Sequence, residues 1–421
     1  MTVRAPLSTA VVASVALLFA SRAMGQAITD PTTPAPAPTP APKPAADAPP
    51  SPFSFTGSYT ADVLGDVSGG ERTGVRYLDL AKLSAAFDGS AVGRDGLTGL
   101  ISIEHHNGAR FSGELVGDAQ VVSNLEGPPE AFRLYEFWLQ NEILAGRGGV
   151  KAGMIDLNTT FDVQETAALF LNSSDGTGPE LSDTGLNGPS ISPTTSAAVT
   201  AFYRPADGWT AQVGVFNAVA GDPDHRRSFV AVKLSADRGA LLIAQVEKRF
   251  GDVARLEAGA WTYTADFRAI DDEATGPQRQ LGGNAGLYGL AEGKLLAKPG
   301  AEDAGLSGWI RIGVANGDIN PIANYIGSGL VYTGLIAGRD KDEIGVAINR
   351  AGFGDPIRLA EARAGRRIGE AETTLEATYR YTVRDWLNIQ PDVQYVIHPG
   401  GDLALANALV VGVRFAFTAS K

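Results

Sequence analysis

The 421-residue chain contains no cysteine, only 4 histidines and 3 methionines, and more acidic than basic side chains, 47 against 35. Without cysteine there can be no disulfide framework, no zinc–thiolate site and no lipid anchor on an N-terminal Cys. The four histidines are scattered as His105, His106, His225 and His398. Adjacent histidines on a strand point to opposite faces, so the one pair does not suit shared metal ligation. A formal charge of −12 argues against a nucleic-acid partner, which calls for a basic patch to meet phosphates. Long apolar runs are missing too. The single candidate, Ala10 to Ala20, falls short of the roughly 20 residues that a spanning helix needs.

That run belongs to an export signal. Arg4 precedes it and Ala23-Met24-Gly25 follows with small residues at the spacing a signal peptidase reads, which predicts a cleaved segment over 1–25. The next stretch, 26–52, is so rich in Pro and Ala that it can neither pair as a strand nor pack as a core. It reads as a disordered tether. The folded body is expected over 53–421.

Glycine is abundant instead, with 51 residues, and disfavours long helices. From Phe53 onward the governing signal has a period of two. Phe53, Phe55, Tyr59, Ala61 and Val63 alternate with Ser54, Thr56, Ser58, Thr60 and Asp62. The split returns at Leu306 to Val314, where Ile310, Ile312 and Val314 oppose Ser307, Trp309 and Arg311. It returns again from Thr373 to Thr382 and in the last strand, Leu409 to Phe417. Such segments match the about 9–11 residues with which a tilted strand crosses a bilayer. A soluble β-sandwich would also alternate, with its apolar faces pressed together. Export without an anchor, and aromatics near strand ends (Phe53, Tyr59, Tyr379, Tyr381, Phe415, Phe417), favour a transmembrane antiparallel β-barrel. At about 20–25 residues per strand and connection the body holds about 16 strands, enough for an aqueous channel.

Some segments resist this reading. Val75 to Phe87 and Gly282 to Leu296 alternate poorly, and Pro391 inside a clean strand predicts a bulge or a strand start. Asn172 to Pro193 is crowded with Gly, Pro, Asn and Ser. Irregular backbone of that kind survives at membrane depth only where it lines a water-filled cavity, so it is the candidate constriction loop folded into the lumen. An ordinary external loop is equally polar. Asp156, Asn158 and Asp162 lack the spacing of an EF-hand and suggest a turn network. The acidic clusters 271–273 and 340–343 read as loop charges.

Several blocks carry a resemblance. RLYEFWLQ (133–140), GMIDLNTTFD (153–162), LFLNSSDG (169–176) and GLNGPSISP (185–193) resemble the carbohydrate-selective porin family called OprB. YTGLIAGRD (332–340), DWLNIQPDVQYVIHPGG (385–401) and the closing VVGVRF agree in the same order. The resemblance implies a barrel of about 16 strands with inward-folded loops, and passive diffusion of sugars across the outer membrane. Two features depart from it: Phe417 is followed by four more residues instead of ending the chain, and the tether lies outside the family pattern.

A sugar offers hydroxyls and apolar ring faces but no charge, so a selective passage needs polar groups that replace water and aromatics that cover ring faces. The residues expected on the inner face are Glu104, Glu136, Trp138, Lys151, Trp309, Arg311, Glu376, Arg380, Asp392, Gln394 and Arg414. For each one, a solvated wall position is the plainer alternative to a place in the constriction. Arg311, Arg380 and Glu136 stand out as mid-strand residues. The expected partners are mono- or oligosaccharide solutes, outer-membrane lipid and a second copy in a homo-oligomer, with no cofactor, no metal and no covalent chemistry. The rival readings are a general or ion-preferring porin, a barrel enzyme such as a lipid hydrolase, and a soluble lectin-like β protein. No G-x-S-x-G elbow, P-loop or H-E-x-x-H motif supports an enzyme.

Overall fold

The computed structural model of the chain describes residues 51–234, 238–270, 279–298 and 300–421. The signal segment, nearly all of the tether and the acidic cluster 271–273 lie outside the described residues.

The body is a closed antiparallel barrel of 16 strands. In chain order these are β1 (Phe53–Ser68), β2 (Gly74–Asp88), β3 (Leu97–His106), β4 (Ala131–Ile143), β5 (Gly148–Ile155), β6 (Ser196–Tyr203), β7 (Trp209–Asn217), β8 (Ala240–Phe250) and β9 (Ala254–Tyr263). A small hairpin follows, β10 (Asp266–Arg268) with β11 (Gln280–Gly282). The barrel resumes with β12 (Ala285–Lys298), β13 (Ala301–Ala315), β14 (Ile322–Thr333), β15 (Glu343–Phe353), β16 (Ala371–Arg384), β17 (Leu387–Ile397) and β18 (Ala408–Ser420). Pairing of β1 with β18, Thr56 opposite Ser420 and Asp66 opposite Val410, closes the wall and leaves no free edge. Closure also satisfies the backbone within lipid, which no described helix is long and apolar enough to cross.

One end of the barrel carries short turns, such as 144–147 and 251–253, and the other carries the long connections 107–130, 156–195, 218–239 and 354–370. Short turns mark the periplasmic side and long loops the extracellular side. A belt of outward aromatics, including Phe53, Phe55, Trp209, Trp386 and Phe417, rings the periplasmic end. Above it the outer face is apolar: Leu83, Ile101, Leu139, Val213, Ile312, Val346 and Val393 are all exposed.

Pro391 neither bends nor starts a strand. It lies inside β17 and faces Val413 in an unbroken register with β18. On the other side, pairing with β16 lapses between Thr378–Asp392 and Tyr381–Ile389 and resumes in the same register. The missing N–H therefore costs local ladder bonds without a bulge. Thr378 fills part of the gap by donating its hydroxyl to the Pro391 carbonyl at 3.1 Å.

The weak alternation of β2 and β12 also has a physical cause. Leu78 of β2 is fully buried on the inner face, in a cluster with Leu64, Phe111, Leu115, Val396 and Val410. Tyr288 of β12 joins a second inner cluster around Phe161, Phe216, Ile243 and Trp261. Where a loop packs inside the barrel, both faces of a strand turn apolar and the period of two fades.

Candidate constriction site

The connection 156–195 folds into the barrel, as the constriction reading expected for its core, and residues 110–126 of the preceding long loop fold in beside it. Short-range bonds shape the inward loop. Asp156 accepts from the Asn158 backbone N–H at 2.8 Å, and the Asn158 side chain donates to the Asp162 carbonyl at 2.7 Å, the turn network anticipated for these residues. Leu157, Phe161 and Leu181 then point into the apolar cluster on the inner wall, with Phe161 edge-on to Phe216 at 6.1 Å.

Polar anchors fix the rest of the loop, and their pattern repeats. A carboxylate on the wall accepts two consecutive backbone N–H groups of the loop. Glu292 of β12 takes those of Glu165 at 3.2 Å and Thr166 at 2.7 Å. Glu376 of β16 takes those of Leu171 at 2.6 Å and Asn172 at 3.1 Å. Glu372, also on β16, holds the neighbouring loop through Ala119 and Gln120, both at 2.8 Å. Irregular backbone has N–H groups with no ladder partner, and charged acceptors satisfy them in pairs.

At the centre, Arg311 of β13 is fully buried between two loop carboxylates. Its Nε and Nη2 donate to Asp162 at 2.7 Å each, and Nη1 and Nη2 donate to Glu180 at 3.1 and 2.7 Å. The four-residue helix Pro179–Ser182 carries Glu180. Gly313 lets that helix approach, because a Cβ there would overlap the Glu180 carboxylate.

The structure divides the eleven expected inner-face residues into three groups. Arg311, Trp309, Glu376, Asp392 and Gln394 point inward, but they are buried against the folded-in loops and do not face open lumen. Trp309 packs on Phe170 at 6.4 Å, and Gln394 donates to the Val122 carbonyl at 2.8 Å. Arg414 belongs with them, clamped on Asp62 at 2.7 and 2.8 Å and reaching Asn124 at 2.8 Å.

Glu104, Glu136, Trp138 and Lys151 form the second group, brought together on β3, β4 and β5. Lys151 Nζ lies 4.8 Å over the Trp138 ring and donates to Thr160 at 3.1 Å, and the Trp138 indole donates to Glu136 at 3.2 Å. The third group is Arg380 alone. It lies near the periplasmic end, opposite Glu343 at the start of β15 and ion-paired with it, and is not the mid-strand residue the pattern suggested.

Pattern reading missed Lys82, which pairs with Glu104 at 3.1 Å and lies 4.5 Å over the Tyr135 ring. It also missed a charged belt on the opposite wall. There Arg255 contacts Glu247 at 3.0 Å, Glu257 at 3.4 Å and Glu292, and Arg249 bonds Glu247 at 2.9 Å and Glu165 of the loop. The period-two rule could have found Glu247 and Arg249, both inward on β8. The two loop carboxylates that clasp Arg311 left no periodic signal.

Comparison with known proteins agrees with this architecture. The family described as "Carbohydrate-selective porin, OprB family" matches residues 72–418. Porin B of Pseudomonas aeruginosa is 25% identical over 404 residues, covering 86% of this chain and 86% of that protein. Among solved structures, the high-pH structure of Pseudomonas putida OprB superposes with a TM-score of 0.78 at 23% identity, covering 87% of this chain and 94% of that one. The outer membrane channel DcaP of Acinetobacter baumannii gives a TM-score of 0.55 at 10% identity, with 87% and 97% covered. Matched over nearly all of its barrel, with two loops folded into a closed sheet of 16 strands, the chain belongs to the OprB family of carbohydrate-selective porins of the outer membrane.

Proposed function

We propose that small sugars cross this barrel between the inward loop and the wall formed by β2 to β5. The observation that carries the reading is the partly exposed Trp138 ring on that wall with Lys151 over it, beside Lys82, which lies over the buried Tyr135 ring. They lie beside the loop's partly exposed edge, where Thr160 meets Lys151. Aromatic faces suit sugar rings, and ammonium and carboxylate groups replace the water lost from hydroxyls. Glu104 and Glu136 alongside the two lysines keep the local charge balanced, which suits an uncharged solute. Across the lumen, Arg249 and Glu165 supply the other side of a transverse field.

In this reading the chain acts as a channel and carries out no covalent step. Residues 1–25 serve as a cleaved export signal and 26–52 as a spacer before the barrel.

Conductance in a planar bilayer, titrated with sugars and with organic anions, tests the proposal. Sugars should block the ion current in wild type, and Trp138→Ala should weaken the block by about tenfold, the loss expected for about 1.4 kcal/mol of stacking. Lys151→Ala should weaken it less. If anions block and sugars do not, the channel is an ion-preferring porin. If neither variant changes the sugar block, this wall is not the path.

A further inference from the structure

A second hollow lies away from the wall of β2 to β5, at the extracellular mouth. Its volume is about 400 Å³, within the about 300–1,000 Å³ typical of small-molecule sites. Three stretches far apart in the chain enclose it: the inward loop at 183–186, the hairpin of β10 and β11, and the turn 319–321 between β13 and β14. Leu186, Phe267, Ile319 and Pro321 give it apolar surface, and Asp183, Asp266, Arg268 and Gln280 give it polar heads.

Bonds among these stretches hold the hollow in shape. Phe267 is buried edge-on to Tyr263 at 5.5 Å, and the Tyr263 hydroxyl shares a hydrogen bond with Thr184 of the inward loop at 3.2 Å. The Ile270 N–H donates to the Asp318 carbonyl at 2.9 Å, which ties the hairpin segment to the β13–β14 turn. The Asn284 and Asn320 side chains exchange two bonds of 2.7 Å and reinforce that tie. A shape fixed in advance leaves less to be ordered when a solute binds.

The side chains of Asp183, Asp266, Arg268 and Gln280 are exposed, and among the described residues none is engaged in a hydrogen bond or an ion pair. On the inner wall, by contrast, Arg311, Arg255 and Lys151 are all committed to carboxylates or loop groups. Carboxylates accept while guanidinium and amide donate, which matches sugar hydroxyls, and the apolar surface matches the C–H face of a sugar ring. We propose that the hollow is an entry site that holds a small uncharged sugar before it reaches the wall of β2 to β5. Two carboxylates against one guanidinium give it a net negative charge, so it turns away the carboxylate of a sugar acid. The site deepens the sugar-channel reading and rests on it for its ligand class, but its test needs no current.

With no native cysteine, one introduced thiol reports on one place. Leu186→Cys lies in the hollow at a position 48% exposed, and Leu359→Cys, at a position 49% exposed on the extracellular helix Asp355–Arg363, is the control. Each is labelled on intact cells with a maleimide in buffer, in maltose or in gluconate. Maltose at about ten times its Kd should slow labelling of Leu186→Cys about tenfold and leave Leu359→Cys unchanged. Gluconate should protect neither. Adding Asp183→Ala with Asp266→Ala should raise the maltose needed about tenfold, the loss expected for hydrogen bonds to charged groups, while heat-modifiable migration shows the barrel intact. Equal labelling of Leu186→Cys with and without maltose, protection at Leu359→Cys as well, gluconate as effective as maltose, or protection indifferent to the aspartate substitutions would each overturn the proposal. Protection without sugar block of the ion current would strike the wall of β2 to β5 as the path and leave this site standing.

Discussion

The two halves of the inner wall obey different rules. Toward the extracellular end apolar side chains dominate, with Leu64, Leu78, Phe216, Ile243, Trp261 and Val410 facing inward under loops and Glu372 among them as a loop anchor. Farther toward the periplasm β2, β5, β8 and β9 present Lys82, Lys151, Gln245, Glu247, Arg249 and Arg255. A lumen is therefore not polar because it is a lumen. Where the chain's own loops fill it, the wall turns apolar except for anchors such as Glu292, Glu372 and Glu376, since buried apolar area and charged acceptors of loop N–H groups together pin a loop against a wall.

The hardest blow to this division is aimed at the centre of the plug. Arg311→Met leaves Asp162 and Glu180 buried without their cation, a loss of about 3–5 kcal/mol for a broken buried ion pair. The inward loop should loosen, raising single-channel conductance and erasing sugar block. Unchanged conductance would mean that the apolar cluster alone holds the loop.

Phe161→Ala attacks that cluster directly. A fully buried Phe costs about 3–5 kcal/mol on truncation, and somewhat less here because the loop can settle toward Phe216. The temperature of the unfolding transition in gel-shift assays should fall, with a smaller change in conductance than for Arg311→Met.

Glu136→Ala probes the charged wall of β3 to β5. It removes the acceptor for the Trp138 indole and the Asp156 N–H, so sugar block should change about as much as one hydrogen bond to a charged group allows, about 1.5–3 kcal/mol. Ile312→Val, on the lipid face, should do almost nothing to either readout. Equal effects from Glu136→Ala and Ile312→Val would invalidate the assignment of faces.

The smallest effect is expected at the periplasmic turn 334–342. Burial tends to raise the Asp342 carboxyl, but donors from Arg339, Tyr379 and the Thr382 N–H outweigh it and hold the group below the usual carboxylate range. A depressed value stabilises the folded state above the ordinary carboxylate range, and the contribution is lost as pH falls through the depressed one. Asp342→Asn should therefore lower thermal stability slightly at neutral pH, with the difference from wild type shrinking in acid.

Much of the barrel was legible in advance, and the residues show why. Alternation in Phe53–Val63 and Leu409–Phe417 placed the first and last strands, which do pair to close the wall. Lipid demands an unbroken apolar outer face, so that signal is strong. The inward side of Glu104, Glu136, Trp309, Arg311 and Gln394 was equally readable. What those residues meet was not, because their partners Asp162, Glu180 and Val122 sit in loops with no period and far away in the chain. Arg380 was misplaced for a related reason: position within an alternating run does not say where the run begins relative to the membrane.

The sequence by itself determined that this chain crosses a bilayer as strands, which face of its clearly alternating strands meets lipid, and which family its motifs resemble. These depend on side-chain order along a strand, a local property. Tertiary structure alone decided which inward charges hold loops and which are left facing the passage. Closing 16 strands into a ring sets loop residues against wall residues well over a hundred positions away, as Arg311 meets Asp162, and no pattern of neighbours records that meeting.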